Sequence, residues 1–335
     1  MTAHDKIIDT LLRNDRSAAP QPVSRHELAA ALDLAERYAR IEKTVLGAAK
    51  VAYSPVSLEA ASHMEDDPLT MGEFVATSER ARLGLPIGPI LELWRLIEEQ
   101  GIKVLPRPMP PQYSGGFFFD AQLGPCVLVQ IDSNDSTLQY ALAHQYAHFI
   151  LDYDPYITTL CGWPSEQLAE DPIEQRAHHT ALALLMPRAE LEMYRDALGP
   201  SNDNLLQPEL VHQLRVYFEL DPEQVLWRLL MLGWIDASAL ESLLQQDTSL
   251  AATLQSPSTG RAEAALLPER FVRLVASAFG SDKFDLETAA HFLGTDFRGA
   301  ERILGQFDYE VPASGATDEG GPGNGNGGGS AQVQS

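Results

Sequence analysis

Tyr140-Ala141-Leu142-Ala143-His144-Gln145-Tyr146-Ala147-His148-Phe149-Ile150-Leu151 is the stretch from which the rest of the chain is best read. Asn134-Asp135-Ser136 stands just ahead of it. These residue types cap helix N-termini, so the pattern predicts a helix over residues 137–151. On a helix, residues four apart share a face, and His144 and His148 can present neutral imidazoles to one metal ion. Leu142, Phe149 and Ile150 would seat that helix against a core. The spacing is weak evidence alone, because paired histidines also occur as satisfied core or surface residues.

Downstream, Pro172-Ile173-Glu174-Gln175-Arg176-Ala177-His178-His179 opens a second helix that turns apolar towards Leu184-Leu185-Met186-Pro187. Glu174 lies in its first turn, from where it can reach back to the histidine pair or simply complement the helix dipole. His178, one turn further on, is an alternative ligand or a partner standing behind the ligands. Upstream, Ile102 to Leu105 reads as a short strand broken by the prolines from Pro106 to Pro111. Gly115-Gly116 then opens Phe117-Phe118-Phe119, and Cys126-Val127-Leu128-Val129-Gln130-Ile131 is a clear strand after the Gly124-Pro125 turn. A small antiparallel sheet ahead of the histidine helix is the expectation. Helices are also predicted from the Ser24-x-x-Glu27 capping box to Gly47, and over residues 87–100 with Gly101 as a left-handed stop.

Composition excludes several function classes. The 335 residues carry a formal net charge of −23, which repels phosphate backbones and suits a neutral or basic partner. With 44% hydrophobic and 21% charged residues the chain is of ordinary globular make-up. It has no apolar run of membrane-spanning length, and residues 1–6 do not read as a signal peptide. A cytoplasmic protein without membrane contact is expected. Cys126 and Cys161 have no CxxC spacing and read as buried small hydrophobes.

The quoted segments resemble the ImmA/IrrE-type zinc metallopeptidases, whose pattern is L-x-H-E-x-x-H-x-x-L followed by E-x-E-A-N-x-F-A-A-x-L-L-M-P. The resemblance extends from about Ile90 to Asp236. It implies an α+β, mainly helical zincin-like domain in which zinc (Zn2+) is held by His144, His148 and, when the Leu185-Met186-Pro187 ends are aligned, Glu174. It also implies a helix-turn-helix repressor as protein partner. Three positions depart from the pattern: Gln145 stands for the general-base Glu, Arg176 for the Glu of E-A-N, and His178 for its Asn. The changes at Arg176 and His178 make natural drift the reading of Gln145.

An amide has no basic lone pair at neutral pH, so Gln145 cannot accept the proton of an attacking water. General-base catalysis contributes roughly 10²–10⁴-fold, and turnover is expected to be impaired or lost with metal binding retained. Glu170, Asp171 and Tyr146 are nearby in sequence, but nothing in the pattern sets any of them on the water. A non-catalytic regulator that binds through the inherited cleft is the alternative to an impaired peptidase.

The C-terminal half has helix-turn-helix character twice. Pro208 to Ile235 contains Asp221-Pro222-Glu223 as a helix start, and Leu267 to Phe307 repeats the theme. Acidic residues outnumber basic ones here and no Arg/Lys/Asn/Gln stripe marks a reading helix, so direct DNA binding is not expected. The resulting organisation is a flexible leader (1–22), an N-terminal helical segment (23–85), a metallopeptidase-like domain (86–200), a helix-turn-helix-like segment (201–245), a C-terminal helical segment (263–310) and a disordered tail (311–335).

Overall fold

The computed structural model describes residues 2–17, 19–47, 67–131, 135–151, 158–163, 171–198, 208–246 and 267–306. Asn134, Glu170 and the tail from 311 lie outside the described residues. In chain order the elements are α1 (Ala3–Arg13), α2 (Arg25–Leu46), α3 (Pro68–Arg82), α4 (Leu93–Glu99), β1 (Lys103–Arg107), β2 (Tyr113–Asp120), β3 (Gly124–Gln130), α5 (Asp135–Leu151) and β4 (Thr159–Gly162). They continue as α6 (Pro172–Leu185), α7 (Arg188–Leu198), α8 (Pro208–Phe218), α9 (Pro222–Met231), α10 (Ala237–Gln246), α11 (Glu269–Gly280), α12 (Leu286–Leu293) and α13 (Phe297–Leu304). The fold is α+β and mainly helical.

The sheet differs from the antiparallel one expected. Its order is β1-β3-β2-β4, and while β2 is antiparallel to both neighbours, β1 runs parallel to β3. The cause is the tight β2–β3 hairpin. Asp120 accepts from the backbone N–H groups of Gln122 (2.8 Å) and Leu123 (3.0 Å), and Gly124 takes φ 76° to finish the turn. The hairpin inserts β3 beside β1, so strands consecutive in sequence are not all neighbours in space. Pro106 does not break β1, because β1 is an edge strand and tolerates a missing N–H. β4, absent from the sequence reading, forms the opposite edge.

Alternation along the strands divides the sheet between two cores. Val104, Phe117, Val127 and Val129 face α3 to α10, whereas Leu105, Phe118, Cys126, Leu128 and Leu160 face α1, α2 and α11 to α13. Each face is therefore covered by helices.

The expected flexible leader is corrected over residues 3–13. A capping box between Thr2 and Asp5 starts α1, and Ile8 and Leu11 are buried in the second core. The next residues run along the outer edge of β4. Arg16 N–H donates to the Leu160 carbonyl (2.9 Å), and the Asn14 carbonyl accepts from Leu160 N–H (3.4 Å) and Thr159 Oγ1 (3.0 Å). The strap thus satisfies an edge that would otherwise be open to another strand. The helix expected over 87–100 is confined to Leu93–Glu99, because Gly88 at φ 128° ahead of Pro89 holds the preceding residues out of the helical region. Gly101 does take the left-handed stop, at φ 83°.

A polar cluster joins the two chain halves under β1. The Lys103 ammonium lies 2.7 Å from Glu42 Oε2, both fully buried, and Glu42 also pairs with Arg270. Tyr38 donates to Glu98 Oε1 (2.9 Å), and the Arg270 backbone N–H donates to Glu98 Oε2 (3.2 Å). Burial pushes the Glu98 carboxyl up to about 7, against the lowering effect of its Tyr38 and Arg270 contacts.

Candidate metal centre

Helix α5 lies on β2 and β3 and is buried on nearly every side, through Tyr140, Ala141, Ala143, Tyr146, Ala147 and Phe149. That surrounds His144 and His148 with packed walls, and their side chains keep at most 3% of their surface exposed. Close approach of the helix depends on Gly115. A Cβ there would sit 2.3 Å from the Leu128 carbonyl oxygen and 3.1 Å from Gln145 Cγ, which no side chain tolerates.

The histidines converge on one point. Their Nε2 atoms are 3.1 Å apart, His144 Nε2 is 3.1 Å from Glu174 Oε2, and His148 Nε2 is 3.5 Å from Glu174 Oε1. Glu174 comes from the first turn of α6, whose start is fixed by Asp171 accepting from the Ile173 N–H (2.9 Å) with Pro172 as the first helical residue. Cys161, from edge strand β4, completes the group. One donor atom from each of His144, His148, Cys161 and Glu174 lies within 4.8 Å of all the others, and every one of these residues is buried.

His178 does not join the four. Its Nδ1 is 2.7 Å from the Tyr140 hydroxyl, which in turn stands 3.4 Å from His144 Nδ1. Tyr140 therefore links His178 to the back of His144, the position from which an outer partner sets ring orientation. Burial, with His144 and His179 adding to it, drives the His178 pKa well below that of an ordinary histidine and keeps the ring neutral.

Gln145 is fully buried beside the group. Its Nε2 reaches Ser114 Oγ at 3.5 Å, and its Oε1 has no hydrogen-bond partner. Ser114 is held in turn to the β4 backbone, donating to the Gly162 carbonyl (3.0 Å). Two other candidates for a base, Tyr146 and Asp171, point elsewhere. Tyr146 donates to Glu79 on α3, and Asp171 pairs with Arg16 while capping α6.

Electrostatics favour the ligand forms of the acids. Burial raises the Glu174 pKa, but charge and hydrogen bonds from His148 and His144 outweigh it and hold the carboxyl well below its usual range. For Cys161, burial and Glu174 push the thiol up, while His148 and His144 overcome both and bring it below an ordinary cysteine. Burial lowers His144, yet its bonds to Cys161 and Glu174 leave it raised. The donor set fits a divalent ion. Ligand atoms at zinc-like bond lengths stand about 3.3–3.8 Å apart, close to the separations found here. Glu174 Oε1 is buried without a hydrogen-bond partner, an orphan that a cation would satisfy.

The sequence reading missed Cys161. Ile157-Thr158-Thr159-Leu160-Cys161, with β-branched residues at three of five positions, was the signal that a strand follows the histidine helix. Elsewhere, Asp221 does precede Pro222 at the start of α9, but its side chain makes no capping bond and accepts instead from Thr137 Oγ1 on α5. Among the described residues no helix is long and apolar enough to cross a membrane.

A search of curated proteins finds no match to the chain. A family model does match: residues 97–230 fit the IrrE N-terminal-like domain of Peptidase M78. That span includes all four strands, the histidine helix, Cys161 and Glu174. Residues 97–230 are thus similar to the IrrE N-terminal-like domain, while the rest of the chain lies outside that match.

Proposed function

We propose that this protein is a zinc-binding IrrE-like pseudopeptidase of the cytoplasm that binds a helix-turn-helix repressor and does not cut it. The observation that carries the reading is Gln145, a buried amide where the family pattern has its general base. Zinc, when bound, would supply Lewis-acid polarisation and a water of lowered pKa. His144, His148 and Glu174 would hold the ion. Gln145 can donate or accept a hydrogen bond beside it but cannot take a proton and pass it to a leaving amine. Tyr146 and Asp171 are committed to Glu79 and Arg16, so neither substitutes for the missing base.

The repressor partner rests on the family resemblance, and the net charge of −23 favours a basic or neutral protein over DNA. Buried, unpaired Cys126 and Cys161 suit a reducing compartment. The test combines metal analysis of the purified protein with binding and cleavage of a co-encoded helix-turn-helix repressor. One bound zinc, a stable complex and an intact repressor support the reading. Repressor fragments produced by the unmodified protein would overturn it.

A further inference from the structure

Catalytic zinc sites keep one coordination position open, whereas structural sites fill all four with protein. Three donors here match the family pattern, and the fourth position is where Cys161 becomes informative. We propose that Cys161 is a fourth metal ligand and that it closes the site, converting an inherited catalytic centre into a sealed structural one. The inference rests on the metal-binding reading above.

Geometry places the thiol in the same buried group as His144, His148 and Glu174, with all four donor atoms within 4.8 Å of one another. β4 is fixed where this requires. Its Leu160 backbone is bonded by the Asn14–Arg16 strap on one side, and it pairs with β2 through Gly115↔Cys161 on the other. The Gly162 carbonyl is held by Ser114. Burial agrees, since Cys161 and Gln145 have no exposed surface and His144, His148 and Glu174 keep at most 2%. A catalytic ion needs a path for substrate and water, and a structural ion does not.

Charge balance gives a second and independent reason. A divalent ion with two neutral imidazoles and Glu174 carries one net positive charge, which in a general-base site the adjacent carboxylate cancels. Gln145 removes that negative charge. A Cys161 thiolate restores it and leaves the buried site formally neutral, as burial without solvent requires. Glutamine and cysteine are thus two halves of one change. Glu174 Oε1, buried without a hydrogen-bond partner and beside the same point, marks where the cation belongs.

The experiment is optical spectroscopy of the full chain loaded with Co2+ in place of zinc. The unmodified protein is expected to show a thiolate-to-cobalt charge-transfer band in the near ultraviolet together with strong four-coordinate d–d bands. Cys161→Ser should lose the charge-transfer band while retaining cobalt, and Cys126→Ser should keep it. Cobalt uptake without that band in the unmodified protein would overturn the assignment and leave the His144–His148–Glu174 site standing. No uptake at all would sink both. The spectrum of the unmodified protein decides the matter even if Cys161→Ser fails to fold.

Discussion

Replacing Gln145 by Glu changes almost no volume but inserts a charge where the protein has prepared none. The side chain is fully buried, its Oε1 has no partner, and its one polar contact is Ser114 Oγ at 3.5 Å. A carboxylate there can recruit the Ser114 hydroxyl only by taking it from the Gly162 carbonyl, now 3.0 Å away. An ion in such a place costs several kcal/mol after relaxation, and one charge-assisted hydrogen bond returns about 1.5–3 kcal/mol. The metal-free Gln145→Glu protein should therefore be about 2–4 kcal/mol less stable than its parent near pH 8. The sign with pH follows from linkage. Burial raises the folded pKa of the new carboxyl above its unfolded value, so the deficit grows as pH rises through the folded pKa and fades below the unfolded one. Zinc should shrink the deficit, because a nearby cation favours the carboxylate. Urea denaturation of both proteins, with chelator and with excess zinc, at pH 5 and 8, measures all three effects. A loss that is equal with and without metal and flat with pH would refute the argument.

Further outcomes follow from the same contacts. With Cys161 in the fourth position, Gln145→Glu alone leaves cleavage at background, whereas Gln145→Glu/Cys161→Ala raises it by roughly 10²–10⁴-fold over the Cys161→Ala single variant in a repressor-cleavage assay. Tyr140→Phe removes the hydroxyl between His144 and His178 and should weaken zinc binding by about 10–100-fold in a competitive chelator titration, with unchanged circular dichroism. Glu42→Gln leaves the Lys103 ammonium buried without its counter-charge and should cost about 3–5 kcal/mol in denaturant unfolding; a loss under 1 kcal/mol would mean the cluster relaxes freely. Glu98, raised from 4.5 to about 7, favours the folded state in its protonated form. That stabilisation is full below its ordinary pKa and is lost as pH rises through about 7, so the parent should lose about 3 kcal/mol relative to Glu98→Gln between pH 5 and 8.

What the sequence made legible was local. The histidine helix, β3, the Gly101 stop and the helical C-terminal half are all written in spacing, caps and apolar periodicity. The sheet was not, because parallel pairing of β1 with β3 depends on a hairpin inserting between strands that no local pattern links. α1 was misread for a related reason: a short, polar-looking segment keeps two apolar residues, Ile8 and Leu11, for a core whose other walls are α2, the sheet and α11 to α13, the last more than two hundred residues away. At the site, the histidines and Glu174 stand in recognisable spacing. Cys161 does not, since a ligand donated by an edge strand has no fixed sequence distance from the helix it faces.

The sheet's second face has a consequence for how the chain comes to be folded. Leu105, Phe118, Leu128 and Leu160 are covered by α1 and α2 from one end of the sequence and by α11 to α13 from the other. The segment that matches the family ends at residue 230, well before Phe271, Val275 and Leu293 are made. On the ribosome the sheet would thus emerge with that apolar face covered by α1 and α2 alone until the last helices follow. Contacts of such long sequence separation slow folding and leave intermediates prone to aggregate. Expression of residues 97–230 alone should give insoluble material, and the shortest soluble piece should need both ends.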